Sequence, residues 1–287
     1  MRQNWTLLTA IYRLYQHSQF SMAGAVAFSF VVSLFPFCIL IGSLAGILGG
    51  RELADVTVGQ LFQVLPESVA KGLVPQVEEI MTKSRIDLMT LGGAITLFFA
   101  TSAVETLRAA LNYAYRVTER RPYIVCLLIS MLHVCVSAIV LLVLTSTMVV
   151  IPTLAARFDS PLLQEIISSS WIQSGLLNVI VALIIAAQLF AGHLYLAAGR
   201  RTISEVWPGI ALTVVLWIAA ASAYSYYLGF SNYTRFYAGL SQLMIALIFF
   251  QLTAVVIILG AELNRGLIEF RKLRNGNGDP SPSQAGR

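Results

Sequence analysis

The chain has 287 residues, 57% hydrophobic and 11% charged, with a mean hydropathy of +0.76. Soluble domains carry roughly 25% charged residues, so this composition excludes an ordinary soluble domain: the polar residues for its surface are missing. The net charge of +5 reads as the Lys/Arg bias of a multipass membrane protein, not as nucleic-acid affinity.

Residues 1–20 form an amphipathic N-terminal segment. Trp5, Leu8, Tyr12 and Tyr15 recur at helical steps beside Arg2 and Arg13. This face suits the inner headgroup region or packing on a bundle, and both readings stand. The segment lacks the continuous apolar core of a signal peptide.

A transmembrane domain over 21–274 follows, with six predicted spans. Span one is Ala25–Leu48. Pro36 removes a backbone donor within it, which predicts a helix kink there, and Ser29 and Ser33 help satisfy the freed groups. Gly42 and Gly46 would permit close helix approach. Residues 51–87 form an outer amphipathic loop carrying six acids and four bases. Two short helices broken near Pro66 are expected, capping the bundle or lying on the membrane.

Span two is Leu88–Val104, with helix continuing to about Val117. Glu105, Arg108 and Asn112 share one face of that extension, and Arg116, Arg120 and Arg121 follow as headgroup contacts. Span three, Tyr123–Ile151, holds His133, read as hydrogen-bonded inside the bundle and not as a metal ligand. Span four is Leu176–Ala198, with His193 near its end. Span five, Val206–Leu228, opens on Trp207-Pro208, since proline is tolerated in a first turn. Span six, Ala238–Leu263, carries the mid-membrane amide of Gln251 and ends on Glu262 and Asn264. A disordered cytoplasmic tail is expected over 275–287.

Thirteen Lys and Arg fall on the side of the termini and six on the other. The positive-inside rule then puts both termini in the cytoplasm. Spans two, four and six run inward, so Glu105, Arg108, Asn112, His193, Glu262 and Asn264 share one depth. They are candidates for a polar cluster or pathway at a cytoplasmic vestibule, with Arg108 offered Glu262, Glu105 or both. The competing readings are a structural knot between helices two and six, or snorkelling into headgroup water.

Signatures of soluble enzymes are absent. No phosphate loop, HExxH helix or GxSxG elbow occurs. Three histidines and three cysteines lie in no ligand-like spacing. No catalytic residue, metal or cofactor is expected.

Four stretches resemble the YihY / virulence factor BrkB family of bacterial inner-membrane proteins, once labelled ribonuclease BN. They are Ala23 through Ser33-Leu-Phe-Pro-Phe37; Ala110-Leu-Asn112 with Arg120-Arg121-Pro122; Trp207-Pro-Gly209; and Tyr237-Ala-Gly-Leu240 leading to Gly260-Ala-Glu-Leu-Asn264. The resemblance implies an all-α, six-helix inner-membrane protein linked to envelope integrity and lipid or lipopolysaccharide movement. The chain departs from the family at Phe249-Phe250-Gln251, where Trp-Leu-Tyr is usual. The leading expectation is a non-enzymatic inner-membrane protein that transports or handles envelope lipids or a similar amphiphile. The rival is a scaffold binding a periplasmic or envelope partner through residues 51–87. A membrane-associated ribonuclease is a remote third. Membrane lipids are the expected partners; a homo-oligomer is compatible and nucleic acid is not expected.

Overall fold

The computed structural model describes residues 19–63, 65–67, 69–75, 91–157, 177–230 and 240–276. The N-terminal amphipathic segment up to residue 18, the far part of the outer loop and the tail beyond 276 lie outside them. Among the described residues every regular element is helical. α1 is Gln19–Gln63, α2 Leu91–Tyr115, α3 Tyr123–Arg157, α4 Leu177–Ala191, α5 Ile203–Phe230 and α6 Ser241–Gly276. α4 passes directly into a π-turn, Gly192–Leu196.

Among the described residues, four helices are long and apolar enough to cross a membrane: Phe20–Arg51, Tyr123–Ser146, Ile203–Phe230 and Ser241–Lys272. Helices suit this composition because hydrocarbon offers the backbone no partners, so each segment must satisfy its own amides. Side-chain hydroxyls follow the same rule. Thr101, Ser137, Thr145 and Thr253 each donate to the carbonyl four residues back. Large apolar side chains such as Phe28, Leu132, Leu183 and Ile218 are exposed, as expected of a surface solvated by lipid.

α1 continues through Pro36, and its non-helical dihedrals fall instead at Gly49 and Gly50. Gly50 has φ 72°, where a side chain is strained. The break turns residues 51–63 back over the bundle end. Val58 and Phe62, with Val69 and Leu73 from the helical stretch 69–75, pack against Tyr224 of α5 and Ala246 and Phe249 of α6. Their charged faces point outward in the exposed pairs Arg51–Asp55 and Lys71–Glu67. The near part of the outer loop is therefore a cap on the bundle.

α6 runs to Gly276, past the predicted start of the tail at Asn275. It packs chiefly on α5 and α1, and α1 packs on α2. At the α5–α6 crossing Gly209 and Gly260 meet. A Cβ on Gly209 would strike the Gly260 carbonyl and the Asn264 amide. Gly46, by contrast, has open space around its Cα.

Candidate functional site

Helix ends meet at one level: α1, α3 and α5 begin near it, α2 and α4 end near it, and α6 passes through it on the way to Gly276. Ala23 and Val26 of α1 pack with Leu111 and Ala114 of α2, Leu196 after α4 and Ile258 of α6. Arg121, just before α3, donates to the carbonyls of Tyr195 and Leu196 at 3.0 and 2.8 Å. Arg271 of α6 reaches the Ser204 carbonyl of α5 at 3.3 Å.

Polar side chains concentrate at this level, in two linked groups. The first begins where α2 stops. Arg116 adopts φ 53°, while Val117 N–H donates to the Asn112 carbonyl and Arg116 N–H to that of Tyr113, both at 3.0 Å. This is the left-handed helix stop that glycine usually supplies. It sends the following residues back along α2, so that Glu119 lies beside Arg108 and Asn112.

Glu119 is the hub of this group. It accepts from Arg108 Nη1 at 3.0 Å, Asn112 Nδ2 at 3.1 Å, and Arg121 Nε and Nη2 at 2.8 Å. The Arg121 guanidinium holds the Glu119 carboxyl far below the usual carboxylate range, and Glu119 raises Arg121 in turn. Arg108 also forks onto Glu105, with Nη2 at 2.7 Å and Nε at 3.3 Å. Ser130 of α3 donates to the same carboxylate. Asn112 spends its oxygen on the Ala198 N–H at 2.6 Å, tying α2 to the chain after α4.

The second group is built on Asn264 of α6. Its Oδ1 accepts the Gly209 N–H at 2.6 Å, and its Nδ2 donates to the Val206 carbonyl at 2.8 Å and Tyr115 Oη at 3.3 Å. α5 begins at Ile203, three residues before the predicted start, so Pro208 is its sixth residue and lies inside the helix, not in a first turn. It cannot donate to Ser204, whose carbonyl takes Arg271 instead. Glu205 reaches back to the start of the same helix and accepts the Thr202 N–H at 2.7 Å, one half of a capping box. Tyr115 Oη lies 2.7 Å from His193 Nδ1. Arg201 sits 3.6 Å above the Tyr115 ring and donates to the carbonyls of Ala198 and His193. Burial works against its charge and lowers its pKa. His193 Nε2 is buried without a hydrogen-bond partner among the described residues.

The predicted residues thus divide. Glu105, Arg108 and Asn112 come together in the first group, and His193 and Asn264 in the second, with Asn112 and Tyr115 linking the two along α2. Glu262 is buried on α6, where Arg265 Nη1 approaches at 3.4 Å and itself pairs with Glu269. Arg108 takes Glu105 and Glu119; an Arg108–Glu262 pair is absent among the described ion pairs. Arg116 and Arg120 are exposed at the rim, whereas Arg121 is turned inward as a clamp. His133 is half-buried on α3, three residues after Ser130, with no side-chain hydrogen bond among the described residues. Gln251 faces outward from the bundle, and Pro36 lies within α1.

Glu119, Tyr115, Arg201 and Arg265 did not stand out in the sequence. Glu119 left one trace: it is the sole acid between Glu105 and Asp159. Among the described residues, no group of three His, Cys, Asp or Glu side chains is placed to hold a metal ion. The arrangement does two physical things. It locks helix ends through charge-assisted bonds shielded from water, and it leaves cations beside apolar surface at its edge.

The chain is 26% identical over 269 residues to a Bacillus subtilis (strain 168) protein provisionally named ribonuclease-like protein YfkH, covering 91% of this chain and 94% of that one. No solved structure matches it. The model of the virulence factor BrkB family matches residues 10–284. With apolar helices long enough to span a bilayer and nearly its whole length matched, the chain is a membrane protein of the virulence factor BrkB family.

Proposed function

We propose that the protein is a non-enzymatic, six-span inner-membrane protein that binds and moves an anionic envelope lipid or similar amphiphile. Both termini would be cytoplasmic and the polar network would mark the inner end. The remaining two spans would be α2 and α4. One observation carries the reading. Exposed cations and exposed apolar side chains lie within a few residues of each other along the chain at the polar end: Arg116 and Arg120 before Tyr123 and Ile124, Arg200 between Tyr195 and Ile203. An amphiphile needs both, a cation for its phosphate and greasy surface for its chains. The network itself fits a rigid frame for that rim better than an open route, because its carboxylates and guanidiniums are taken up by each other.

A scaffold role remains the second reading, favoured by the outward charges Arg51, Asp55, Glu67 and Lys71 on the cap. Liposomes holding a fluorescent anionic phospholipid separate the two. Protein-dependent exposure of headgroups is expected, reduced severalfold by Arg116→Gln with Arg120→Gln at unchanged melting temperature. No movement of anionic or zwitterionic lipid would overturn the proposal. Loss of a co-purifying envelope protein on reversing the cap charges would then favour the scaffold.

A further inference from the structure

We propose that two copies of this chain associate in the membrane through α6, with Gln251 of each hydrogen-bonded to Gln251 of the other. Gln251 lies within the apolar stretch Ser241–Lys272, whose most apolar window has a hydropathy of 2.7. Its side chain is exposed and has no hydrogen-bond partner among the described residues. Nearby Thr253 shows the contrast: its hydroxyl donates to the Phe249 carbonyl and accepts from Trp217 Nε1. The Gln251 amide offers two donors and an acceptor to a medium that supplies neither. Ten residues of helix separate it from Ser241, about 15 Å at the usual rise, so lipid headgroups are out of reach in either direction.

The surrounding face is suited to a second helix. Met244, Ile248, Gln251 and Val255 follow a four-three-four spacing, and each is at least partly exposed. That is the seam of a left-handed helix pair. Copies inserted with the same topology bring their α6 helices together in parallel. A two-fold axis along the membrane normal then sets identical residues at one depth, facing each other. Glutamine is self-complementary there, because each amide N–H meets the other's carbonyl. A lone polar residue in an apolar seam also fixes register and copy number. This inference does not depend on the lipid proposal.

The test uses the purified full-length protein in lipid vesicles at low protein density, with subunits counted by single-molecule photobleaching. Dimers are expected. Gln251→Leu should weaken association about tenfold, the effect of losing an interhelical polar pair, while Gln251→Asn should keep most of it. In a background with Cys38, Cys126 and Cys135 replaced by alanine, Gln251→Cys should cross-link between copies and Ile218→Cys, on the exposed face of α5, should not. Wild-type monomers would overturn the inference, including the case where Gln251 meets a helix of another protein. So would a Gln251→Leu dimer as strong as wild type, or equal cross-linking at Ile218.

Discussion

At one end of the bundle, a single carboxylate on Glu119 gathers Arg108, Asn112 and Arg121 from two stretches of chain. At the other, Phe249 packs against Trp217, Tyr224 and Phe250 under the cap of Val58, Phe62 and Leu73. The first end is held by few, directional bonds between charges that are mostly shielded. The second is held by area and fit. Each should therefore fail in its own way. The polar end should tolerate little change of charge at constant volume. The apolar end should tolerate modest changes of shape and be indifferent to which hydrocarbon fills it.

The largest effect should come from Glu119→Gln. The volume is kept, yet Arg108 keeps only Glu105 and Arg121 loses its counter-charge. Removing one partner of a mostly buried pair costs about 3–5 kcal/mol, discounted here because the Glu119 side chain is 21% exposed. A drop of several degrees in detergent melting temperature is expected. Phe249→Leu should cost less, about 1–2 kcal/mol, since hydrocarbon replaces hydrocarbon. A larger loss at Phe249 would break the contrast. The pH dependence of the Glu119 variant sharpens it. The Glu119 carboxyl titrates lower folded than unfolded, so its contribution is complete above the ordinary carboxylate range and fades as pH falls through the folded value. The gap between wild type and Glu119→Gln should be constant from about pH 8 to 5 and close only in stronger acid. A gap that opened on acidification would reject the assignment.

Next comes Gly209→Ala. Its new Cβ would meet backbone, the Gly260 carbonyl, and the Asn264 side chain. Overpacking of this kind costs about 1–3 kcal/mol, and displacing Asn264 also loosens the bonds to Val206 and Tyr115. Gly46→Ala is the control in the other half of the bundle. Its Cβ meets nothing and its backbone is helical, so a gain of about 0.5–1 kcal/mol is expected. Thermal unfolding of the two variants side by side checks both signs.

The glycine pair also shows what could be read in advance. Gly42 and Gly46 share one helix, so their spacing is visible in the sequence, but no close contact forms at Gly46. Gly209 and Gly260 touch across two helices, and no spacing within either segment announces that. The same logic runs through the site. Glu105, Arg108 and Asn112 were legible because helix periodicity alone puts them on one face. Glu119 was not, because its place depends on the left-handed turn at Arg116, a conformation that an arginine does not advertise. Glu262 had a local partner in Arg265, three residues along, and local pairing outweighs the longer reach to Arg108. The apolar runs announced membrane helices, since composition alone decides that question. Which face of α6 turns outward at Gln251 depends on what its neighbours pack against, and that is not a property of one helix.

The smallest effect separates frame from rim. Arg116 occupies a backbone conformation that costs a side-chain-bearing residue about 1 kcal/mol and glycine almost nothing. Its side chain is exposed and touches none of the Glu119 network. Arg116→Gly should therefore raise stability by up to about 1 kcal/mol, because the strain is relieved and no bond of the frame is lost. The same change removes one cation from the rim, worth about 1 kcal/mol toward an anionic bilayer. Binding to vesicles containing anionic lipid should weaken while binding to zwitterionic vesicles stays the same. A protein made firmer and less attracted to anionic lipid by one substitution would separate the two roles of the polar end. If Arg116→Gly lowered the melting temperature instead, the Arg116 side chain would belong to the frame, and the division between inner clamp and outer cations would fail there.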